Sequence, residues 1–270
     1  MMPAIRATGS ALGAFVDKID LREPLSTLQR DALASALAEH QALFFREQAI
    51  SPQQHRDFGK AFGPLEEHPS FLRREDVPEV AYLDNGRDNP STIDEWHTDM
   101  SFKPRPPKAG ILLARIVPPK GGDTLFSSSA AAYEDLPASE RKALEGLTAV
   151  HSYEWGYRDS LAEPGGRARL QSAIDTNPDV VHPLVREHPV TGRRILFLNR
   201  TFTRHINGLS QGESDSLIEQ LCDHMINDRY VYRFQWQPGS IAFWDNFAVM
   251  HKPVNDYWPE RRRVERVTLA

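Results

Sequence analysis

Apolar positions along the chain follow two rhythms, and the helical one comes first. Ser26-Thr27-Leu28-Gln29 has the spacing of a capping box, and Leu28, Ala32, Leu33, Ala36 and Leu37 then recur on a helical period. Ser51-Pro52-Gln53-Gln54 predicts a second helix with proline at its first position, running to about Gly63. A third helix is predicted from Ser210-Gln211-Gly212-Glu213, with Leu217, Leu221 and Met225 turned inward. Between these lies a pattern of period two. It predicts strands at Glu79–Asp84, Ile111–Val117, Thr124–Ser127, Arg194–Asn199, Tyr230–Trp236, Ser240–Trp244 and Arg261–Leu269, with Ala42–Phe45 as a short buried strand.

These strands are short, separated by Pro and Gly turns, and not alternated with helices. That pattern argues for a mainly β, α+β architecture: a double-sheet antiparallel barrel with helices packed outside it. The segment 152–181 lacks clean periodicity and contains Pro164-Gly165-Gly166, so it reads as a long, partly helical insertion of the kind that forms lids. Residues 1–270 are expected to form one domain.

Composition narrows the function classes. Thirty-two Lys and Arg against 37 Asp and Glu give a net charge of −5, the wrong balance for a nucleic-acid binder. A single cysteine, Cys222, excludes a disulfide framework and any multi-thiolate metal site. No segment approaches the roughly 20 apolar residues of a membrane span. Met1–Asp20 shows no apolar stretch behind a basic start, so a cytoplasmic protein with no membrane partner is expected.

Ten histidines remain to be sorted. Chance alone supplies one or two His-x-Asp pairs in such a chain, and two occur: His55-Arg56-Asp57 and His97-Thr98-Asp99. His55 and Asp57 fall inside a predicted helix, where residues two apart point about 200° away from each other. His97 and Asp99 fall between strands, where extended backbone puts both on one face. Only the second pair can chelate. Two imidazoles and a carboxylate on one octahedral face match the non-haem Fe(II) oxygenases, and His251 is the only histidine beyond the strand at Ser240–Trp244. His40, His182, His188, His205 and His224 show no ligand spacing.

The run Glu260–Leu269 sharpens this. Read as a strand, it sends Arg261, Arg263 and Glu265 one way and Arg262, Val264, Arg266 and Thr268 the other. If the second face looks into the barrel, two guanidinium groups need anionic partners there. No internal acid cluster stands out, so anionic ligands, held through paired hydrogen bonds, are the expected partners.

Taken together, Trp96-His97-Thr98-Asp99, Gly121-Gly122-Asp123-Thr124, Trp244-Asp245-Asn246 and the ordered set His251, Arg262, Arg266 resemble the TauD/TfdA family. These are Fe(II)- and 2-oxoglutarate-dependent dioxygenases built on a double-stranded β-helix, or jelly roll. The resemblance runs from about Thr8 to Ala270. It implies that His97, Asp99 and His251 hold iron and that Arg262 and Thr124 bind the distal carboxylate of 2-oxoglutarate. It further implies a substrate site of His68, Phe71, Ile93, Met100, Tyr157, Phe202 and Arg266, with Arg266 and His68 on a sulfonate. Relatives are often dimers or tetramers, so a homo-oligomer is expected.

The chain departs from the taurine enzymes in three places. Ile93 and Phe71 stand where those enzymes have asparagine and tyrosine, and Phe247 replaces an arginine common after Asp-Asn. The first two changes remove polar groups near the substrate's far end. The reaction implied is hydroxylation of a small organic anion by O2, with 2-oxoglutarate giving succinate and CO2. A sulfonate such as taurine is the first candidate, and an alkyl sulfate or an aryloxyalkanoate is the alternative. Two other classes compete: a hydrolytic zinc enzyme, which has no use for a diacid clamp, and a non-catalytic anion-binding jelly roll, which has no use for metal ligands.

Overall fold

The computed structural model describes residues 2–67 and 71–270. Eight of its strands build a barrel of two facing sheets: β1 (Ala42–Phe45), β2 (Ala81–Asn85), β3 (Ala109–Ile116), β4 (Thr124–Ser128), β5 (Val231–Phe234), β6 (Ile241–Asp245), β7 (Val249–Pro253) and β8 (Arg262–Leu269). The larger sheet runs β1-β6-β3-β8-β2 and the smaller β5-β4-β7, each neighbouring pair antiparallel. Consecutive strands such as β3 and β4, or β6 and β7, lie in opposite sheets. That crossing makes the fold a jelly roll, as the resemblance implied and in keeping with the double-sheet antiparallel barrel expected from the strand pattern.

Strand alternation explains how an unbroken apolar run is used. In β1, Leu43 and Phe45 face an outer core shared with the helices α1 (Thr27–His40) and α2 (Pro52–Lys60), while Ala42 and Phe44 face the space between the sheets. β6 repeats this, Ile241 and Phe243 outward, Ala242 and Trp244 inward. Each large side chain buried in this way contributes about 1.5–3 kcal/mol. Trp244 lies flat against β3 because position 110 is glycine; a Cβ there would sit 2.4 Å from its ring.

The capping boxes at Ser26, Ser51 and Ser210 are all present, the last opening α3 (Gln211–Met225) over the smaller sheet. Two details differ from the pattern. In α1 the buried residues are Leu33 and Ala36, whereas Leu28 is 70% exposed. Leu28 lies about 140° around the helix from Leu33, so it cannot share that face. In α3 the buried set is Ile218, Leu221, Cys222 and Met225, with Leu217 only partly covered. Burial pushes the Cys222 thiol up to about 12, as suits a packing residue.

Segment 152–181 contains short helices at Tyr153–Gly156, Arg158–Ala162 and Gly166–Thr176. It packs through Tyr157, Ala173 and Ile174 onto a cluster of Met100, Phe102, Tyr153 and Phe202. Among the described residues no helix is long and apolar enough to cross a membrane.

Candidate active site

The first element of the site is a backbone device. His97 and His251 form an isolated antiparallel bridge, each N–H donating to the other's carbonyl at 3.0 and 2.9 Å. β7 carries His251, so a stretch of irregular chain at His97 is tied to a rigid strand. The two rings lie 4.4 Å apart. Asp99 Oδ1 is 3.7 Å from His97 Nε2 and 3.8 Å from His251 Nε2. One donor atom from each residue thus lies within 4.8 Å of the others, around a gap the size of one ion. His97 Nδ1 lies 2.8 Å from the Glu95 carbonyl, which fixes the proton there and leaves Nε2 with its lone pair facing the gap. Burial pushes His251 down to about 3, so its imidazole stays neutral and able to ligate.

Asp99 is held from two sides. Asn246 accepts from its backbone N–H at 2.9 Å and donates to its carbonyl and to that of Pro107, both at 3.0 Å. This is what Asn246 in the Trp244-Asp245-Asn246 motif does. The turn after Asp99 places Met100 at φ +45°. On the side-chain side, Arg266 Nη1 and Nη2 pair with the two carboxylate oxygens at 2.9 and 2.5 Å. Burial raises the pKa of this carboxyl, but the Arg266 guanidinium, with His251 and His97 behind it, outweighs that and holds it well below the usual carboxylate range. No acid cluster stands out in the sequence as partner for the barrel arginines, so anionic ligands are expected there; one internal acid does face Arg266, which corrects that expectation for this residue. Asp99, assigned from the sequence to the metal alone, also neutralises Arg266.

Arg266 keeps capacity for a ligand all the same. Its Nε donates to Thr268 at 3.1 Å and one hydrogen of each Nη goes to Asp99. A guanidinium has five N–H groups, so two remain, and Arg266 lines the cavity into which they can reach.

Arg262 sits four residues earlier on the same face of β8, also nearly buried. Its Nε donates to the Gly122 carbonyl at 2.9 Å, and its guanidinium lies 5.8 Å from the Trp236 ring and 6.0 Å from that of Tyr257. Gly122 has φ +74°, and a Cβ there would press on Arg262 Cδ at 3.1 Å. Within the protein, Arg262 Nη2 has no hydrogen-bond partner although it is buried. A buried, unpaired guanidinium N–H on the same cavity as the buried Thr124 is a ready receptor for a carboxylate.

One open cavity of about 570 Å³ joins these parts. Its polar wall is His97, His251, Thr124, Arg262 and Arg266 with Asn85 and Ser91, and its apolar wall includes Phe71, Leu83, Ile93, Leu112 and Val264. Of the substrate residues named by resemblance, Phe71, Ile93 and Arg266 therefore lie on it. Met100, Tyr157 and Phe202 do not line it; they pack with Phe102 and Tyr153 in the neighbouring aromatic cluster. His68 lies outside the described residues. Three other histidines have other employment: His55 is buried on the Ile111 carbonyl, His182 reaches the carbonyls of Ser101 and Lys103, and His188 pairs with Asp245 at 2.8 Å.

The family described as "Taurine catabolism dioxygenase TauD, TfdA family" matches residues 4–268. The chain belongs to the TauD/TfdA family. Members similar to it include an alkylsulfatase of Acinetobacter baylyi, 34% identical over 98% of this chain and 84% of that protein. An alpha-ketoglutarate-dependent sulfate ester dioxygenase of Pseudomonas putida is also 34% identical, over 98% of this chain and 89% of its own length. Among solved structures, a taurine dioxygenase from Burkholderia xenovorans superposes with a TM-score of 0.84 at 31% identity, covering 100% of this chain and 91% of that one. As a TauD/TfdA member the protein is a 2-oxoglutarate-dependent dioxygenase, an oxidoreductase.

The family's shared chemistry uses Fe(II), 2-oxoglutarate and O2, and the residues here fit such a set: two imidazoles with a carboxylate, and a buried guanidinium lacking a partner. One supporting residue, Asn246, is visible in the sequence only as part of a motif, whereas Trp244, an alternating strand position that could approach the metal, has its ring 4.8 Å from that of His251.

Proposed function

We propose that this enzyme binds Fe(II) through His97, Asp99 and His251 and the distal carboxylate of 2-oxoglutarate through Arg262 and Thr124. On this reading it hydroxylates a small organic anion anchored by the free N–H groups of Arg266. The observation that carries this is the convergence on one cavity of the three-ligand gap and two inward arginines. When bound, iron and 2-oxoglutarate supply the oxidising power, with succinate and CO2 as co-products. The protein's part is placement. An anion fixed at Arg266 sets which C–H bond lies next to the metal, and thus which carbon reacts.

The apolar wall of Phe71, Leu83, Ile93, Leu112 and Val264 favours an alkyl tail over the charged amine of taurine. We infer an alkyl sulfate or a simple alkanesulfonate as the substrate class, and the two sulfate-directed relatives point the same way. Hydroxylation of the carbon bearing the sulfate oxygen gives an unstable hemiacetal ester, which breaks its C–O bond to release an aldehyde and sulfate. A sulfonate hydroxylated at its α-carbon likewise releases sulfite.

The test is oxygen uptake and succinate formation by the Fe(II)-loaded enzyme with 2-oxoglutarate and a panel of anions. Alkyl sulfates of four to eight carbons, alkanesulfonates, taurine and aryloxyacetates make up the panel. Succinate in step with aldehyde and sulfate or sulfite, with taurine among the poorest, supports the reading. Turnover confined to taurine or to aryloxyacetates overturns the substrate class, and no turnover with any anion overturns the oxygenase assignment.

A further inference from the structure

Thr124 offers a carboxylate only one useful thing, the hydrogen of its hydroxyl, and a hydroxyl hydrogen turns to suit its surroundings. Here its direction is constrained from behind. Trp236 Nε1 donates to Thr124 Oγ1 at 3.0 Å, in a contact that is buried on both sides. An indole N–H is a donor and never an acceptor, so the Thr124 hydroxyl can only receive this bond. One lone pair is thereby used, and the O–H hydrogen must point elsewhere. Thr124 lines the same cavity as Arg262, whose Nη2 is partnerless, so that is where a donor is wanted. Trp236 does not line the cavity itself, and its ring lies 5.8 Å from the Arg262 guanidinium.

The geometry points to Trp236 as a positioning residue for 2-oxoglutarate: through its indole N–H it sets Thr124 as a hydrogen-bond donor toward the distal carboxylate. This rests on the reading that Arg262 and Thr124 hold that carboxylate. Trp236 acts through Thr124 and needs no contact with the co-substrate. The same ring flanks the guanidinium, so a single side chain orders both halves of the clamp.

A double-mutant cycle tests this by binding alone. 2-Oxoglutarate is titrated calorimetrically into the Mn(II)-loaded, full-length protein, anaerobically, for the parent, Trp236→Phe, Thr124→Val and the double variant. Loss of one oriented donor predicts a roughly three- to tenfold weaker Kd for Trp236→Phe in the Thr124 background. In the Thr124→Val background the same substitution should change Kd less than twofold. Where Trp236→Phe does not fold, benzothienylalanine at position 236 keeps the ring's shape and replaces N–H by sulfur. Equal effects in both backgrounds reduce Trp236 to packing and overturn the proposal alone; so does an unchanged Kd in the Thr124 background. Failure of the parent protein to bind 2-oxoglutarate removes both the proposal and the reading beneath it.

Discussion

Replacing Arg266 by methionine separates its two duties. The side chain is about the same length and apolar, so the space stays filled while the charge goes. Asp99 would then be a carboxylate only 4% exposed, without its bidentate partner. Breaking a buried pair from one side costs about 3–5 kcal/mol. In a chain of this size each kcal/mol moves the melting temperature by roughly 2–4 °C, so the metal-free variant should melt about 6–20 °C below the parent. The sign of the pH dependence follows from the carboxyl. In the parent its pKa is depressed, so its contribution to stability is present above the ordinary carboxylate range and lost as pH falls through the depressed value. In the variant burial is left without its main opponent and the pKa rises. The penalty is then greatest near pH 8 and shrinks toward pH 5, where the folded carboxyl takes up a proton. A divalent cation in the His97–Asp99–His251 gap supplies the missing positive charge. Calorimetric melts at pH 5 to 8, with and without Mn(II), should show a gap that narrows in acid and narrows again with metal. A variant as stable as the parent, or a gap indifferent to metal, would show that Arg266 does not carry the charge of Asp99.

Three further outcomes follow. Arg262→Gln removes charge-assisted hydrogen bonds of about 1.5–3 kcal/mol, so the KM for 2-oxoglutarate should rise roughly tenfold to more than a hundredfold while that for the organic anion changes little; steady-state kinetics with each substrate varied would decide. Gly122→Ala places a methyl against Arg262 at a residue with φ +74° and should weaken 2-oxoglutarate binding, whereas Gly212→Ala, in open space in α3, should not; calorimetric binding compares the two. Burial pushes both His55 and His151 down to about 3, so between pH 6.5 and 3 the unfolded chain binds more protons and stability falls with acid, by about 1.4 kcal/mol per pH unit for each. Denaturant titrations at pH 6.5 and 4.5 should show that His55→Leu has the shallower slope, and an unchanged slope would count against this.

What the sequence revealed was what is local in it. The three capping boxes, the strand alternation in β8 and the shared face of His97 and Asp99 depend on residues a few positions apart, where backbone geometry decides. The bridge between His97 and His251, the Asn246 clamp on Asp99 and the Arg266–Asp99 pair join residues about 150 positions apart, and no periodicity reports them. Glu265 shows the limit most clearly. Alternation put it opposite the barrel interior, as it is, but the face beyond is covered, and Glu265 is 2% exposed and held by Arg74 and Arg115. Aromatic residues assigned by resemblance met the same limit: Tyr157 and Phe202 are close to the site in the fold, yet packing turns them into their own cluster.

Everything proposed for the site depends on one metal ion being shared by His97, Asp99 and His251 in the arginine-lined barrel. Crystals of the full chain soaked in Mn(II), with data collected at the manganese absorption edge, test it directly. A single strong anomalous peak is expected in contact with His97 Nε2, His251 Nε2 and an Asp99 oxygen, and it should be lost in His251→Ala. A peak elsewhere, or none between these residues at saturating metal, would mean that the three side chains do not share an ion.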